Sequence, residues 1–492
     1  MKRRPMGIET EYSLTAVRTK NNKNRFSSMV KVDMYFFKPV HQIISLADDG
    51  CPPAVKKLFL MGDAGKDFWL GSTGGALYLD AGNVEYATPE CCSVEQLVRA
   101  DKGGERVINL LREAIEPVLR SQNPQFKTLV IAKNNSDAVR GKSKKIHFRG
   151  SHENYETRYD LTIHQKHPLF FEALISLLVS RQLLAGGGGL VNLDGLGWQY
   201  VISPRALMRQ PFVYWHGEMS GHPSIDFKNE REDCPQGRTR LHLSLGDPNM
   251  LPQALRLRVT LMHVFLSLFE KGPVGSSLPL LEDPYDALRT FSLDPSLGAK
   301  TVVKGRGQWC MREVLLEWLE ILRKFYEGET TDTSDKIRGT LRHAHNLIRT
   351  GTDPEAYAND TDWSLKRLLL DNYCRKERSD YSDFRARMFD FAYHDISPVG
   401  IYNMWQARLG GRDPFSDEEM REVLWEHRAA PRAELRKRHI TALVRSGLSG
   451  YYDWGLFSVK GRSIPVSSSL RGSHKLVARD IKRLKRLQGD LG

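Results

Sequence analysis

The sequence predicts an α+β protein, with a large domain over residues 1–415 and a small C-terminal one over 416–492. Three features predict it. Short stretches of alternating polar and apolar residues gather early in the chain. Long runs with helical spacing are interleaved with them and then dominate the second half. The two kinds of element do not alternate regularly, as a doubly wound parallel sheet would require.

The first strand is "MGIETEYSL", Met6 to Leu14. At a period of two, Met6, Ile8, Thr10, Tyr12 and Leu14 share one face, and Gly7, Glu9, Glu11 and Ser13 the other. Two carboxylates about 7 Å apart on one strand face repel each other, and Glu is a poor strand former. Further strands are expected over 75–80, 127–133 and 146–155. Helical spacing marks Val94 to Ser121, Pro168 to Leu184, Pro252 to Gly272 and Met311 to Gly328. "AGGGGL" (Ala185 to Leu190) follows a helix and lacks the Lys-Ser/Thr of a phosphate loop, so it reads as a flexible turn. The composition shift at "DPFSD" (Asp413 to Asp417) supplies the domain boundary.

Composition excludes several classes. The apolar run Pro168 to Leu184 contains Glu172 and Arg181 and is too short to span a bilayer. A mixed polar strand follows "MKRRPM", so no signal peptide is expected. Six cysteines without a C-x-x-C pair fit a reducing cytoplasm and argue against a zinc ribbon or a disulfide framework. The net charge of +13 is spread along the chain, apart from "GKSKK" (Gly141 to Lys145) and the tail "RDIKRLKRLQ" (Arg479 to Gln488). No nucleic-acid signature accompanies it; the tail has helical spacing and reads as a solvated helix face, and a basic surface would equally suit an acidic protein partner.

Three more strands carry polar faces. In "GALYLD", Ala76, Tyr78 and Asp80 oppose Leu77 and Leu79. In "RGSHENY", Gly150, His152 and Asn154 oppose Ser151, Glu153 and Tyr155. In "RLHLSLGD", Arg240, His242 and Ser244 oppose Leu241, Leu243 and Leu245. For any one strand such a face is ordinary solvated surface. Carboxylates with imidazole and amide, and no thiolates, are also ligands for a hard cation such as Mg²⁺ working with phosphates. Arg240 would neutralise phosphate oxygens through its fork. A divalent metal would then explain how Glu9 and Glu11 tolerate each other.

These residues carry a resemblance. "RRPMGIETEY", "LYLDAGNVEYATPE", "KNN" (Lys133 to Asn135), "GSHENY", "LVSRQLL", "RLHLSLGDPNM" and "AYHDI" occur in order from residue 3 onward. Together they resemble the Pup ligase and Pup deamidase/depupylase family, in the glutamine-synthetase-like carboxylate–amine ligase superfamily. The resemblance implies an antiparallel sheet cradle packed by helices, a bound ATP or ADP with Mg²⁺, and a small disordered Pup-like protein or its conjugates as partner. It implies no nucleic acid and no membrane. One branch joins the C-terminal Glu of Pup to a target lysine with ATP; the other deamidates the C-terminal Gln of Pup and cleaves Pup from conjugates.

By the same resemblance Glu9, Glu11, Glu85, His152 and His242 would hold metal, and Tyr78, Asn154, Arg240 and Trp454 would bind the nucleotide. Asp80 matches the catalytic aspartate. "DKGGERV" (Asp101 to Val107), Ser151, "DPSL" (Asp294 to Leu297), "GIYN" (Gly400 to Asn403) and "LRGSHKLV" (Leu470 to Val477) lean toward the hydrolytic branch. So does the insertion Ala47 to Lys66. "MGIETE" and "YATPEC" read equally well as ligase. Departures at Thr73–Ala76, which lacks the family's arginine, at Asn83–Val84 and at Asp226–Glu232 mark a divergent member. Depupylation or Pup deamidation is therefore the first expectation and Pup ligation its alternative. A non-catalytic Pup or nucleotide binder and a small-molecule amide ligase of the glutamate–cysteine type are the competing classes.

Overall fold

The computed structural model describes residues 4–20, 23–27, 31–46, 51–62, 67–133, 149–158, 167–207, 212, 224–228, 239–272, 277–327, 332–408, 418, 421, 424, 431–445, 450–452, 456–459 and 462–465. Two compact units share the chain. One is built from residues 5–131, 229–236 and 406–492, the other from 1–4, 132–228 and 237–405. The boundary expected at 415/416 lies among residues 409–417, outside the described ones.

In the first unit, β1 (Met6–Lys20) is flanked by β2 (Lys23–Ser27), and the sheet continues through β6 (Asn83–Ala87), β5 (Ala76–Asp80), β4 (Asp67–Leu70) and β3 (Leu60–Met61). β7 (Phe126–Ala132) also pairs with β1. The alternation read from the sequence is real. Met6, Ile8, Thr10, Tyr12 and Leu14 are all buried. The helix Val94–Gln122 covers this apolar side. Ser93 caps it by accepting from Gln96 N at 3.2 Å, and Thr10 Oγ1 donates to its Asp101 at 3.0 Å. Inside the same segment, Lys102 and Glu105 form a buried pair at 2.9 Å. The helix Pro431–Arg445 belongs here too. Its Arg436 donates to Gly74 O at 2.8 Å, pairs with Glu90 and lies over the Trp69 ring.

The second unit carries the strand ladder β11 (Ile225–Lys228), β12 (Thr239–Leu243) and β8 (Ser151–Thr157), in that order, together with two hairpins. Its core is helical. Phe170 of Pro168–Ser180, Phe265 and Phe269 of Pro252–Glu270 and Trp318 of Met311–Tyr326 meet ring to ring at 4.7–5.8 Å. Asp362 accepts from Met250 N at 3.2 Å and Leu251 N at 3.1 Å at the start of Pro252–Glu270, where backbone N–H groups lack partners of their own. The glycine turn after Ala185 is closely packed. It is buried throughout, and a Cβ on Gly188 would lie 2.8 Å from Trp363 Cα, with φ at +63°. Among the described residues no helix is long and apolar enough to cross a membrane.

Candidate functional site

The carboxylates of the first unit converge through strand register. Glu11 of β1 stands opposite Glu85 of β6, and Glu85 stands opposite Tyr78 of β5. Asp67 of β4 follows Tyr78 in the same row. Side chains directly opposite across an antiparallel pair are near neighbours, so three strands deliver three polar groups to one place. One oxygen each from Glu11, Asp80 and Glu85 lie within 4.8 Å of one another. Tyr78 donates its phenol proton to Glu85 at 3.2 Å. Glu11 and Glu85 are buried and Asp80 is exposed.

The electrostatics of this group are unfavourable without a cation. Burial pushes the Glu85 carboxyl well above the ordinary range, and the neighbouring Glu9, Glu11 and Asp80 push it further; the Tyr78 hydrogen bond opposes them and loses. Burial, then Glu9 and Glu85, likewise hold the Tyr78 phenol protonated. Two full negative charges at such separations repel by about 3 kcal/mol at an effective dielectric constant of about 20. Buried hard oxygen donors in a tight group fit Mg²⁺, whose charge would turn that repulsion into attraction.

The second unit carries the imidazoles. Leu241 and Leu243, fully buried, fix β12 so that Arg240 and His242 face the other way. Register places Asp226, His242 and Asn154 in one row across β11, β12 and β8, and Arg240 opposite Glu156. His242 Nδ1 lies 3.0 Å from the Asn154 side-chain oxygen, and the His152 ring meets His242 edge-on with centroids 5.3 Å apart. An amide oxygen beside Nδ1 places the proton there and leaves Nε2 with its lone pair, the form that binds metal. Thus His152, Asn154 and His242 come together, with Arg240 on the same strand face. Trp454 lies outside the described residues.

Glu153 is a residue whose importance the sequence reading missed. It is fully buried, beneath the strand that carries His152 and Asn154. Arg181 pairs with it, Arg258 lies 3.7 Å away, and Tyr155 donates to it at 2.6 Å. Burial alone would raise its carboxyl; the two guanidinium groups outweigh burial and hold it below the usual range. The available signal was Arg181, a cation in the apolar run Pro168 to Leu184.

Comparison with known proteins is consistent across sequence and structure. A family model described as "Pup-ligase protein" matches residues 4–456. A Pup–protein ligase from Acidimicrobium ferrooxidans is 32% identical over 466 residues, 92% of this chain and 92% of that protein. A depupylase from Acidothermus cellulolyticus is 29% identical over 414 residues, 82% of this chain and 78% of its own length. The ligase PafA, solved in complex with the prokaryotic ubiquitin-like protein Pup, matches with a TM-score of 0.77 at 22% identity, over 98% of this chain and 91% of that one. PafA solved in complex with ADP matches with a TM-score of 0.73 at 21% identity, over 85% and 90%. The α+β expectation is therefore met in its specific form, a glutamine-synthetase-like fold.

Proposed function

The chain belongs to the Pup-ligase protein family, and from that premise we propose that it is an ATP- and Mg²⁺-dependent enzyme joining the C-terminal glutamate of a Pup-like protein to target lysines. The observation that carries this reading is the tight group of Glu11, Asp80 and Glu85 with Tyr78. Ligation is placed ahead of the hydrolytic direction because the ligase relative covers 92% of the chain at 32% identity, against 82% at 29% for the depupylase. The hydrolytic reaction, deamidation of Pup or its release from conjugates, is the second reading. It is favoured by Ser151 and by the Asp101–Val107 segment.

In this reading Glu9, Glu11, Glu85, His152 and His242 are metal ligands, and Tyr78, Asn154, Arg240 and Trp454 serve the nucleotide. Bound Mg²⁺ would neutralise phosphate charge and polarise the phosphoryl group. Tyr78 orients Glu85 through its phenol. Arg240 binds phosphate oxygens. Asp80, exposed beside two buried carboxylates, accepts the proton that the attacking lysine loses as the amide bond forms and phosphate leaves the Pup carboxyl that ATP has phosphorylated. In the hydrolytic direction the same carboxylate attacks the carbonyl or activates water. The partner is a disordered acidic chain, suited to a protein of net charge +13. Among the described residues no two cysteines are joined by a disulfide.

The test is a paired assay with Mg-ATP. Pup ending in Glu, offered with a lysine-bearing target, should give a conjugate; a purified conjugate should be followed in parallel for release. Asp80→Asn should lose the wild-type activity by about 10²-fold or more while keeping Mg-ATP affinity and the thermal midpoint. Near-wild-type turnover in Asp80→Asn would remove Asp80 from the chemistry. Release without conjugation by wild type would reverse the order of the two readings.

A further inference from the structure

Asp67 is the outermost member of the polar row that begins at Glu11. Register carries that row from Glu11 of β1 through Glu85 of β6 and Tyr78 of β5 to Asp67 of β4. Asp80 lies two residues beyond Tyr78 on the same face of β5, so it stands diagonally from Asp67, about 7–8 Å away. Exposure rises along the row. Glu11 and Glu85 are buried, Tyr78 and Asp67 are half-buried, and Asp80 is exposed. The buried end suits a resident cation, while the open end meets what arrives from solvent.

The strand that presents Asp67 is held on both faces and along its outer edge. Phe68, fully buried, stacks on Phe37 with ring centroids 5.7 Å apart. Trp69, on the same face as Asp67, lies under the Arg436 guanidinium at 5.4 Å. At the outer edge a Cβ on Gly62 would collide with the Asp67 carbonyl oxygen and lie 3.0 Å from Phe68 Cα, so only glycine lets the chain after β3 close on this strand. Three acceptors then share the open end. They are the carboxylates of Asp67 and Asp80 and, in the same row as Asp67, the phenol of Tyr78. That phenol donates its proton to Glu85 and keeps its oxygen lone pairs. Burial, then Glu9 and Glu85, hold it protonated and uncharged. A primary ammonium carries three N–H donors and one positive charge, and it matches this set in number and in sign.

We propose that Asp67 is a specificity-determining residue for the target amine, binding the ammonium of the incoming lysine together with Tyr78 and Asp80 before Asp80 takes its proton. Asp67 itself makes and breaks no covalent bond. This rests on the ligation reading above. The competing role for Asp67 is structural, as a polar residue that opens β4 and supports Tyr78 from across the strand pair.

Two nucleophiles separate the roles. With Mg-ATP and a Pup-like chain ending in Glu, conjugate formation is measured with a lysine-bearing target, and hydroxamate formation with hydroxylamine, which is uncharged at neutral pH. Asp67→Asn should raise KM for the target at least about tenfold, the order of one hydrogen bond to a charged group, with kcat within about twofold of wild type. Its hydroxylamine rate, Mg-ATP affinity and thermal midpoint should match wild type. Asp67→Glu keeps the charge and should recover part of the loss in KM. Should Asp67→Asn not fold, Asp67→Ser takes its place in the comparison. Equal losses with both nucleophiles, or a loss of Mg-ATP affinity, would overturn the inference and leave Asp67 as a support for the site. Unchanged kinetics with both nucleophiles would overturn it as well. A wild type that gives neither product, yet releases target from a purified conjugate, would instead overturn the ligation reading and this role of Asp67 with it.

Discussion

Glu85 sets the pH behaviour of the carboxylate group. Its carboxyl is raised first by burial and then by Glu9, Glu11 and Asp80. A group whose folded value is raised adds stability while protonated and loses it as pH rises through that value. The cation-free protein should therefore lose thermal stability as pH climbs above the ordinary carboxylate range. Mg²⁺ demands the ionised form, so binding should release protons above the ordinary carboxylate range and restore the midpoint. Titrations in two buffers of different ionisation enthalpy measure that release. Glu85→Gln should abolish the release, weaken Mg²⁺ binding and flatten the pH slope; equal proton release in this variant would contradict the assignment. Glu9, Glu11, Tyr78 and Asp80 were legible as polar strand faces, set off from apolar neighbours by a period of two, although the role of Asp80 came from the resemblance alone. Glu153 was not legible. Burial of a charge is decided by partners distant in sequence, here Arg181 and Arg258.

The elements themselves were well marked. Helices expected over 94–121, 168–184, 252–272 and 311–328 are found at Val94–Gln122, Pro168–Ser180, Pro252–Glu270 and Met311–Tyr326. Apolar periodicity over three or more turns overrides local noise. The hairpins β9 (Gly189–Leu193) with β10 (Gly197–Val201), and β13 (Lys300–Val303) with β14 (Gly307–Cys310), escaped notice. Their strands are four or five residues long, too short for periodicity to show. How a helix meets the sheet was also hidden. Gly104 lies mid-helix against the Tyr86 ring, and an added Cβ would collide with Cδ1 and Cε1 of that ring. Tyr86 is buried next to Glu85 on β6, opposite Thr10 and Leu77. Gly104→Ala gains about 1 kcal/mol of helix propensity but overpacks a closed core at about 1–3 kcal/mol. The second effect should win. We expect a lower denaturation midpoint together with weaker Mg²⁺ binding, because β6 must shift. A stabilised variant with unchanged affinity would show that the ring has room to move.

At the scale of the whole molecule, the chain returns to complete its first unit. Residues 406–492 belong with 5–131, so the unit that takes up the chain at residue 5 is completed by its last segment. The described part of that return is anchored by charge. Arg436, fully buried, and Arg432 both pair with Glu90, and Thr441 Oγ1 donates to Gly71 O at 3.1 Å. The Glu90 carboxyl would rise through burial, yet Arg436 and then Arg432 hold it below the usual range. Ala433, Leu435, Ile440 and Leu443 are buried in the same helix, which packs on β3 and β4. We propose that residues 416–492 are a small domain whose removal the remainder does not tolerate. Truncation after 415 strips both arginines from Glu90 and uncovers Trp69 and the Gly71–Gly74 turn. Removing the partners of a buried charge costs about 3–5 kcal/mol, an upper figure for the half-buried Glu90, against the 5–15 kcal/mol that keeps a protein folded. The 1–415 fragment should therefore fail to show a cooperative thermal transition. Arg436→Met in the full chain should lower the midpoint, and Glu90→Leu combined with it should recover much of the loss, since an apolar pair leaves no charge stranded. A fragment 1–415 that unfolds cooperatively and still binds Mg-ATP would show that the C-terminal segment is an appendage rather than part of the unit.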